Sequence, residues 1–207
     1  TIYSVSSSTI DDLLKLWEGL GYYKRCLNFF KASKIIVKDY DGLIPADYEL
    51  FKSLPGVGQY TAGAVMSICY GMPFPAIDGN VKRVMSRIYG HKNLSKNNLS
   101  LINKVIITIL QKNNPGDFNQ SLMELGSLVC KPKNPNCLSC PISTNCKAFE
   151  TKSPMNYPKV KIKRKIPHYD MVTAIIWKGN KFYIQKRGQE RMLGGLWELP
   201  GWKVKKA

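Results

Sequence analysis

The sequence predicts a mainly α fold followed by a short β segment. Three observations carry this: apolar residues recur at helical spacing over residues 9–129, Gly- and Pro-containing bends punctuate them, and the period shifts to two after His168. At 207 residues, 44% of them hydrophobic, the chain can bury one sizeable core plus part of a second.

Thr9 and Asp12 have the form of a capping box ahead of Ile10, Leu13, Leu14 and Trp17, which predicts a short helix over 9–18. Gly19 and Gly21 end it. A longer helix from about residue 22 places Cys26, Phe29, Phe30, Ile36 and Val37 at core spacing. Ile44-Pro45 is a turn, and Asp47 is the expected N-cap of a third helix ending near Ser53. After an interruption at 54–58, helices are expected over 59–70 and 79–89, separated by an extended stretch that Pro73 and Pro75 force. Two further amphipathic helices are expected over 98–112 and 117–129.

The domain plan follows composition. Residues 1–150 form the helical body, with a cysteine loop at 130–146. Residues 151–167 read as a linker, holding Pro154, Pro158, Pro167 and the basic run Lys159, Lys161, Lys163, Arg164 and Lys165. Residues 168–207 begin a β segment, in which 171–177 and 181–186 flank Gly179-Asn180 as a hairpin. The first residue is Thr rather than Met, as expected of a chain that does not begin at its natural start.

The formal net charge is +17, so a polyanionic partner is expected. Nucleic acid leads, an anionic membrane surface is weaker, and solvated lysine faces are the plain alternative. No apolar run reaches the roughly 20 residues a spanning helix needs, and residues 1–8 lack the pattern of a signal peptide. Of six cysteines, Cys26 and Cys69 stand alone in apolar helical patterns. The other four crowd into one loop, which reads as metal ligation rather than disulfides.

Three motifs carry chemistry. Leu54-Pro55-Gly56-Val57-Gly58 bends the chain between two helices, and its glycines let backbone approach a partner closely. The next helix then points free amides and its positive dipole end outward, which suits a phosphate oxygen. Such a bend grips a DNA backbone without reading sequence; an ordinary interhelical turn is the alternative. Next, Cys130-x6-Cys137-x2-Cys140-x5-Cys146 supplies four thiolates for a [4Fe–4S] cube or a structural zinc, and the uneven spacing favours the cube. Lys131 and Lys133 on that loop could meet phosphate or only solvent. Last, Asp78-Gly79-Asn80 opens a helix. A carboxylate beside a DNA backbone repels phosphate, so its useful task is to face a cation that develops in reaction, as on the sugar when an N-glycosidic bond breaks. A bare N-cap is the alternative.

The stretches 54–63 and 78–84 with the four-cysteine loop resemble the helix–hairpin–helix, Gly/Pro-Asp glycosylase superfamily, and within it the MutY-type adenine DNA glycosylases. Residues 17–23 and Phe118-Asn119-Gln120 add to the likeness. The resemblance implies a helix–hairpin–helix DNA glycosylase fold with an iron–sulfur loop, followed by the start of a small α+β Nudix-like domain at 168–207. It implies removal of adenine mispaired with 8-oxoguanine or guanine in double-stranded DNA, by flipping and hydrolysis. Asp78 would stabilise the sugar cation, Asn80 would orient it, and Tyr60 would line the pocket. Gly56, Val57, Gly58, Gln59 and Lys82 would meet DNA, and Tyr22 or Tyr23 would wedge beside the lesion pair. A [4Fe–4S] cluster on Cys130, Cys137, Cys140 and Cys146 is implied, as are a monomer, no membrane, and a cytoplasmic location in a bacterium or a nuclear or mitochondrial one in a eukaryote.

Endonuclease III relatives carry a lysine where this chain has Tyr60, so no Schiff base and no strong lyase step are expected. The stretch 194–201 resembles the lead-in to a Nudix box; the metal-binding glutamates of a phosphohydrolase would lie beyond Ala207, so the resemblance implies no such activity. The family's catalytic glutamate and the Gln-rich segment after it are not found. The chain is therefore expected to bind DNA and excise adenine poorly, since general-acid catalysis is worth ~10²–10⁴-fold. A non-catalytic cluster-bearing DNA-binding module, an endonuclease III-like lyase and an unrelated zinc protein are the other readings.

Overall fold

The computed structural model describes residues 1–159, 168–188, 190–191 and 193–204. Helices α1 (Ile2–Ser7), α2 (Ile10–Leu16), α3 (Lys24–Asp39), α4 (Tyr48–Lys52) and α5 (Gln59–Tyr70) come first. Then follow α6 (Gly79–Tyr89), α7 (Lys96–Ile109), α8 (Pro115–Glu124), a π turn (Leu125–Val129) and α9 (Lys147–Glu150). The expected caps are in place: Thr9, Asp47 and Asp78 each accept a backbone N–H from three residues on.

Two clusters of buried side chains build the body. Ala32, Ile36, Phe51, Leu54, Ala62 and Met66 join α3, α4 and α5. Val81, Met85, Ile102 and Ile106 join α6 and α7, with Phe118 and Leu122 of α8 packed on them. Each fully buried side chain of this size contributes roughly 1.5–3 kcal/mol. The bend at 54–58 belongs to the first cluster and the start of α6 to the second.

Several expectations are corrected in detail. Residues Ile2–Ser7 form a helix that periodicity does not reveal, and Lys147–Glu150 adds another after the cysteine loop. The long helix begins at Lys24 rather than 22, because Tyr22 has a left-handed backbone with φ 49°. The helix expected over 98–112 spans Lys96–Ile109, capped by Ser95. That expected over 117–129 starts earlier, with Pro115 in its first turn, and its last residues wind as a π turn. Of the two cysteines that stand alone in apolar helical patterns, Cys26 is buried and Cys69 exposed.

The C-terminal segment forms three short antiparallel ladders. These are β1 (Met171–Thr173) with β6 (Gly201–Lys203), β2 (Trp177–Lys178) with β3 (Lys181–Phe182), and β4 (Gln185–Lys186) with β5 (Trp197–Glu198). The hairpin at Gly179-Asn180 is present but confined to β2 and β3, since β1 and β4 take partners farther along the chain. Most of the basic linker run, Lys161 to Lys165, and Pro167 lie outside the described residues. No helix among the described residues is long and apolar enough to cross a membrane.

Candidate nucleic-acid interface and catalytic site

The bend at 54–58 is held by buried Leu54 and by the Val57 amide donating to the Leu54 carbonyl at 3.1 Å. Gly56 needs its glycine: φ is +84°, and a Cβ there would lie 2.7 Å from Asn28 Cβ of α3. Gly58 differs, with φ −96° and open space where a Cβ would be. No side chain caps α5, so the amides of its first turn are left open to whatever approaches Gly58. Gln59 and Tyr60 continue from there, and Tyr60 reaches across to α8, its hydroxyl 3.4 Å from Met123 Sδ.

A cavity of about 380 Å³ opens beside this helix start, lined by Gln59, Tyr60, Pro75, Ile77, Lys82 and Asn103 among others. Asp78 is not itself a lining residue; it directly follows Ile77 and precedes Lys82 by four residues, and both of those line the cleft. Its Oδ1 accepts the Val81 amide at 2.7 Å, and its Oδ2 accepts Asn80 Nδ2 at 2.9 Å. Asn80 Oδ1 in turn accepts from Arg83 Nη2 at 2.9 Å. That nitrogen also donates to the Gly126 carbonyl at 2.7 Å, and Arg83 Nε donates to the Cys130 carbonyl at 2.9 Å. Two residues, Asn80 and Arg83, thus connect the Asp78 carboxylate to the first cysteine of the loop. Burial, and after it the nearby Arg87 cation, push the Arg83 guanidinium below its ordinary pKa.

Tyr22 is 84% exposed and sits in a left-handed conformation costly for a non-glycine residue. Arg25 lies over both the Tyr22 and Trp17 rings, at 5.7 and 5.5 Å from their centres. Trp17 Nε1 donates to the Gly21 carbonyl at 3.0 Å and locks the turn that presents Tyr22. Tyr23 is half-buried at the head of α3. A cavity of about 520 Å³ runs from Tyr22, Tyr23 and Arg25 to Arg191 and Leu193 of the C-terminal segment.

Cys130, Cys137, Cys140 and Cys146 all line one small cavity, with Val129, Pro135, Phe149 and Arg87. Among the described residues no three His, Cys, Asp or Glu side chains close on a single ion. The donor set fits a thiolate-ligated group nonetheless. Burial, and then the neighbouring Cys130, Cys146 and Cys140, push the Cys137 thiol up, while Arg87 draws it down. Arg87 is 3% exposed and donates to Cys130 Sγ at 3.2 Å. Its other described acceptors are the carbonyls of Cys130, Lys131, Pro132, Pro154 and Tyr157 and the Met155 sulfur. A buried cation bonded only to carbonyls and sulfurs favours negative charge close by, which deprotonated cysteines supply.

Sequence reasoning passed over Arg87. It lies among Val84, Met85 and Ile88 on α6, where a lone arginine reads as a solvent-facing residue, and only its long-range acceptors reveal its burial. Asn119 carries only family likeness in the sequence, although it is fully buried and bonds to Ser67, Phe74 and Ala76.

The bend and its flanking helices have the architecture of a helix–hairpin–helix unit, and the helix-hairpin-helix motif family matches residues 39–68. The chain is 37% identical over 210 residues to the adenine DNA glycosylase of Buchnera aphidicola subsp. Schizaphis graminum, covering 99% of this chain and 59% of that protein. It superposes on a thermostable thymine-DNA glycosylase with TM-score 0.67 and 27% identity, over 72% of this chain and 70% of that one. For a non-covalent endonuclease III–DNA complex the TM-score is 0.65 at 27% identity, over 73% and 71% of the chains. The chain belongs to the endonuclease III family of helix–hairpin–helix DNA glycosylases. It spans about three fifths of the length of the Buchnera protein.

Proposed function

We propose that this chain is the DNA-gripping and cation-stabilising part of an adenine DNA glycosylase that hydrolyses the bond between deoxyribose and adenine opposite 8-oxoguanine or guanine. The observation that carries the proposal is one cleft lined by Gln59 and Tyr60 at the uncapped start of α5 and by Ile77 and Lys82, which bracket the N-cap Asp78 in the chain. The amides after Gly58 take a phosphate oxygen of the lesion strand, and Lys82 adds charge to the same cleft. As the C1′–N bond breaks and water adds at C1′, positive charge develops on the sugar. Asp78 faces that charge, held in place by the Val81 amide and by Asn80. Tyr60 packs beside the sugar and carries no amine, so no covalent Schiff base forms. Tyr22, exposed and strained, is the wedge that fills the duplex beside the flipped base.

The four loop cysteines would hold a [4Fe–4S] cluster. Its contribution is structural: it would fix the 130–146 loop, with Lys131 and Lys133, beside the helical body. The segment 168–207 is read as the start of a Nudix-like 8-oxoguanine-recognition domain. The Gly194-Gly195-Leu196-Trp197-Glu198-Leu199-Pro200-Gly201 stretch and three antiparallel ladders support this. The cavity between Tyr22 and Arg191 is where that domain and the wedge would share the lesion pair. The protein is read as a monomer acting where its DNA lies.

A duplex carrying a protonated pyrrolidine in place of the target deoxyribose tests the reading without base excision. The chain should bind it at least tenfold tighter than a duplex with the uncharged tetrahydrofuran analogue. Asp78→Asn should abolish the difference while leaving affinity for undamaged DNA in place. Equal affinity of the unaltered chain for both duplexes would overturn the assignment of Asp78. Strong borohydride trapping on abasic DNA would favour the lyase reading instead.

A further inference from the structure

We infer that Asn119 is a positioning residue for Asp78, acting through the 72–77 segment and touching neither sugar nor base; the inference rests on the reading of Asp78 given above. The segment between α5 and α6 has a backbone problem of its own making. Pro73 and Pro75 have no N–H to donate, and each holds the residue before it extended. No strand lies beside the segment among the described residues, so its buried backbone groups need partners from elsewhere.

Asn119 of α8 supplies them. Its Oδ1 accepts the Ala76 amide at 3.0 Å, and its Nδ2 donates to the Phe74 carbonyl at 2.9 Å and to Ser67 Oγ at 2.9 Å. Both donors and the acceptor of the amide are in use, so its orientation is fixed: a flipped amide would set N–H against the Ala76 N–H. Asn119 is 1% exposed, and Ala76 beside it is equally buried. One side chain therefore does for this stretch what a neighbouring strand does for another.

The surrounding packing leaves the segment no slack. A Cβ on Gly63 of α5 would lie 2.1 Å from the Pro75 carbonyl oxygen, and one on Gly116 of α8 would lie 2.9 Å from the Ser67 carbonyl oxygen. Helix α5, the segment and α8 are thus in backbone-to-backbone contact, with Asn119 at the centre. Ala76 lies two residues before Asp78. On the far side of the α6 start, Gly126 of the π turn lies so close that a Cβ there would be 2.6 Å from Asn80 Cβ. Asp78 therefore sits between a segment pinned by Asn119 and a side chain backed by Gly126. The bonds from Val81 and Asn80 fix the carboxylate on α6; Asn119 fixes where that end of α6 stands against α5 and the cleft.

The same two duplexes test this. Asn119→Ala should lose most of the tenfold preference for the cationic pyrrolidine over the neutral analogue. Its affinity for undamaged DNA should hold, because the bend at 54–58 is anchored on Leu54 and Asn28 instead. Ser67→Ala removes the one bond that does not reach the segment, and should keep the preference. A merely structural Asn119 would lower thermal stability and leave the preference of the folded protein at the unaltered value, and that result overturns the inference. Should Asn119→Ala not fold, Asn119→Asp keeps the Ala76 bond and loses the donor to Phe74. It should show an intermediate preference, and an unchanged one is equally fatal. An unaltered chain with no preference at all defeats the reading of Asp78 itself, a failure distinguishable from that of Asn119 alone.

Discussion

Two helices begin at the same cleft and begin in opposite ways. Helix α5 starts at Gly58 with no side-chain cap and open space in front of it. Helix α6 starts at Asp78, whose carboxylate already occupies the Val81 amide. The first start is prepared to receive an anion and the second presents one. The difference teaches that a helix dipole does not define a site by itself; what matters is whether the chain fills the terminal amides or leaves them free.

Exchanging the features of the two starts tests the contrast. The largest effect is expected from Asp78→Asn, which keeps a capping oxygen and removes the charge. In the active enzyme it should lower the single-turnover rate of base release by about 10²–10³-fold, with the thermal midpoint nearly unmoved. Asp78→Ala should add a stability loss of about 1 kcal/mol from the missing cap, measured by urea unfolding. Gly63→Ala comes next. Its Cβ meets the Pro75 carbonyl, so the joint between the two starts should lose about 1–3 kcal/mol in the same measurement. Gly58→Val should weaken DNA binding by about tenfold on every sequence, the scale of one charge-assisted hydrogen bond. The slope of log affinity against log salt should stay put, because an amide releases no counterion. The smallest change is expected from Lys82→Gln, which should reduce that slope by about one in a titration series.

Much of the architecture was legible because it is local. Helices 59–70 and 79–89 match their observed limits, since Gly58 and Asp78 mark the starts and Gly71 and Gly90 the left-handed ends. The bend and the four-cysteine loop are contiguous in sequence, so spacing alone displays them. What escaped depends on partners far along the chain. Arg87 reads as a surface cation until its acceptors around 130 and 155 fold onto it. Nothing in residues 116–122 announces that Asn119 bonds to 67, 74 and 76. The expected hairpin was shortened for the same reason: strand pairing at Met171 is settled by Gly201–Lys203, thirty residues on. The backbone strain at Tyr22 has no sequence signature beyond the glycine before it.

Arg87 also dictates an order of events. Every described acceptor of its guanidinium lies at least 43 residues away along the chain. Contacts across such spans form only after the long loops between them have closed, which places them late in folding. The wall that encloses the four thiols is therefore a property of the finished body and not of the emerging polypeptide. Until α6 has docked against residues 130–132 and 154–157, these cysteines are as open to oxidants and stray ions as those of any unfolded chain.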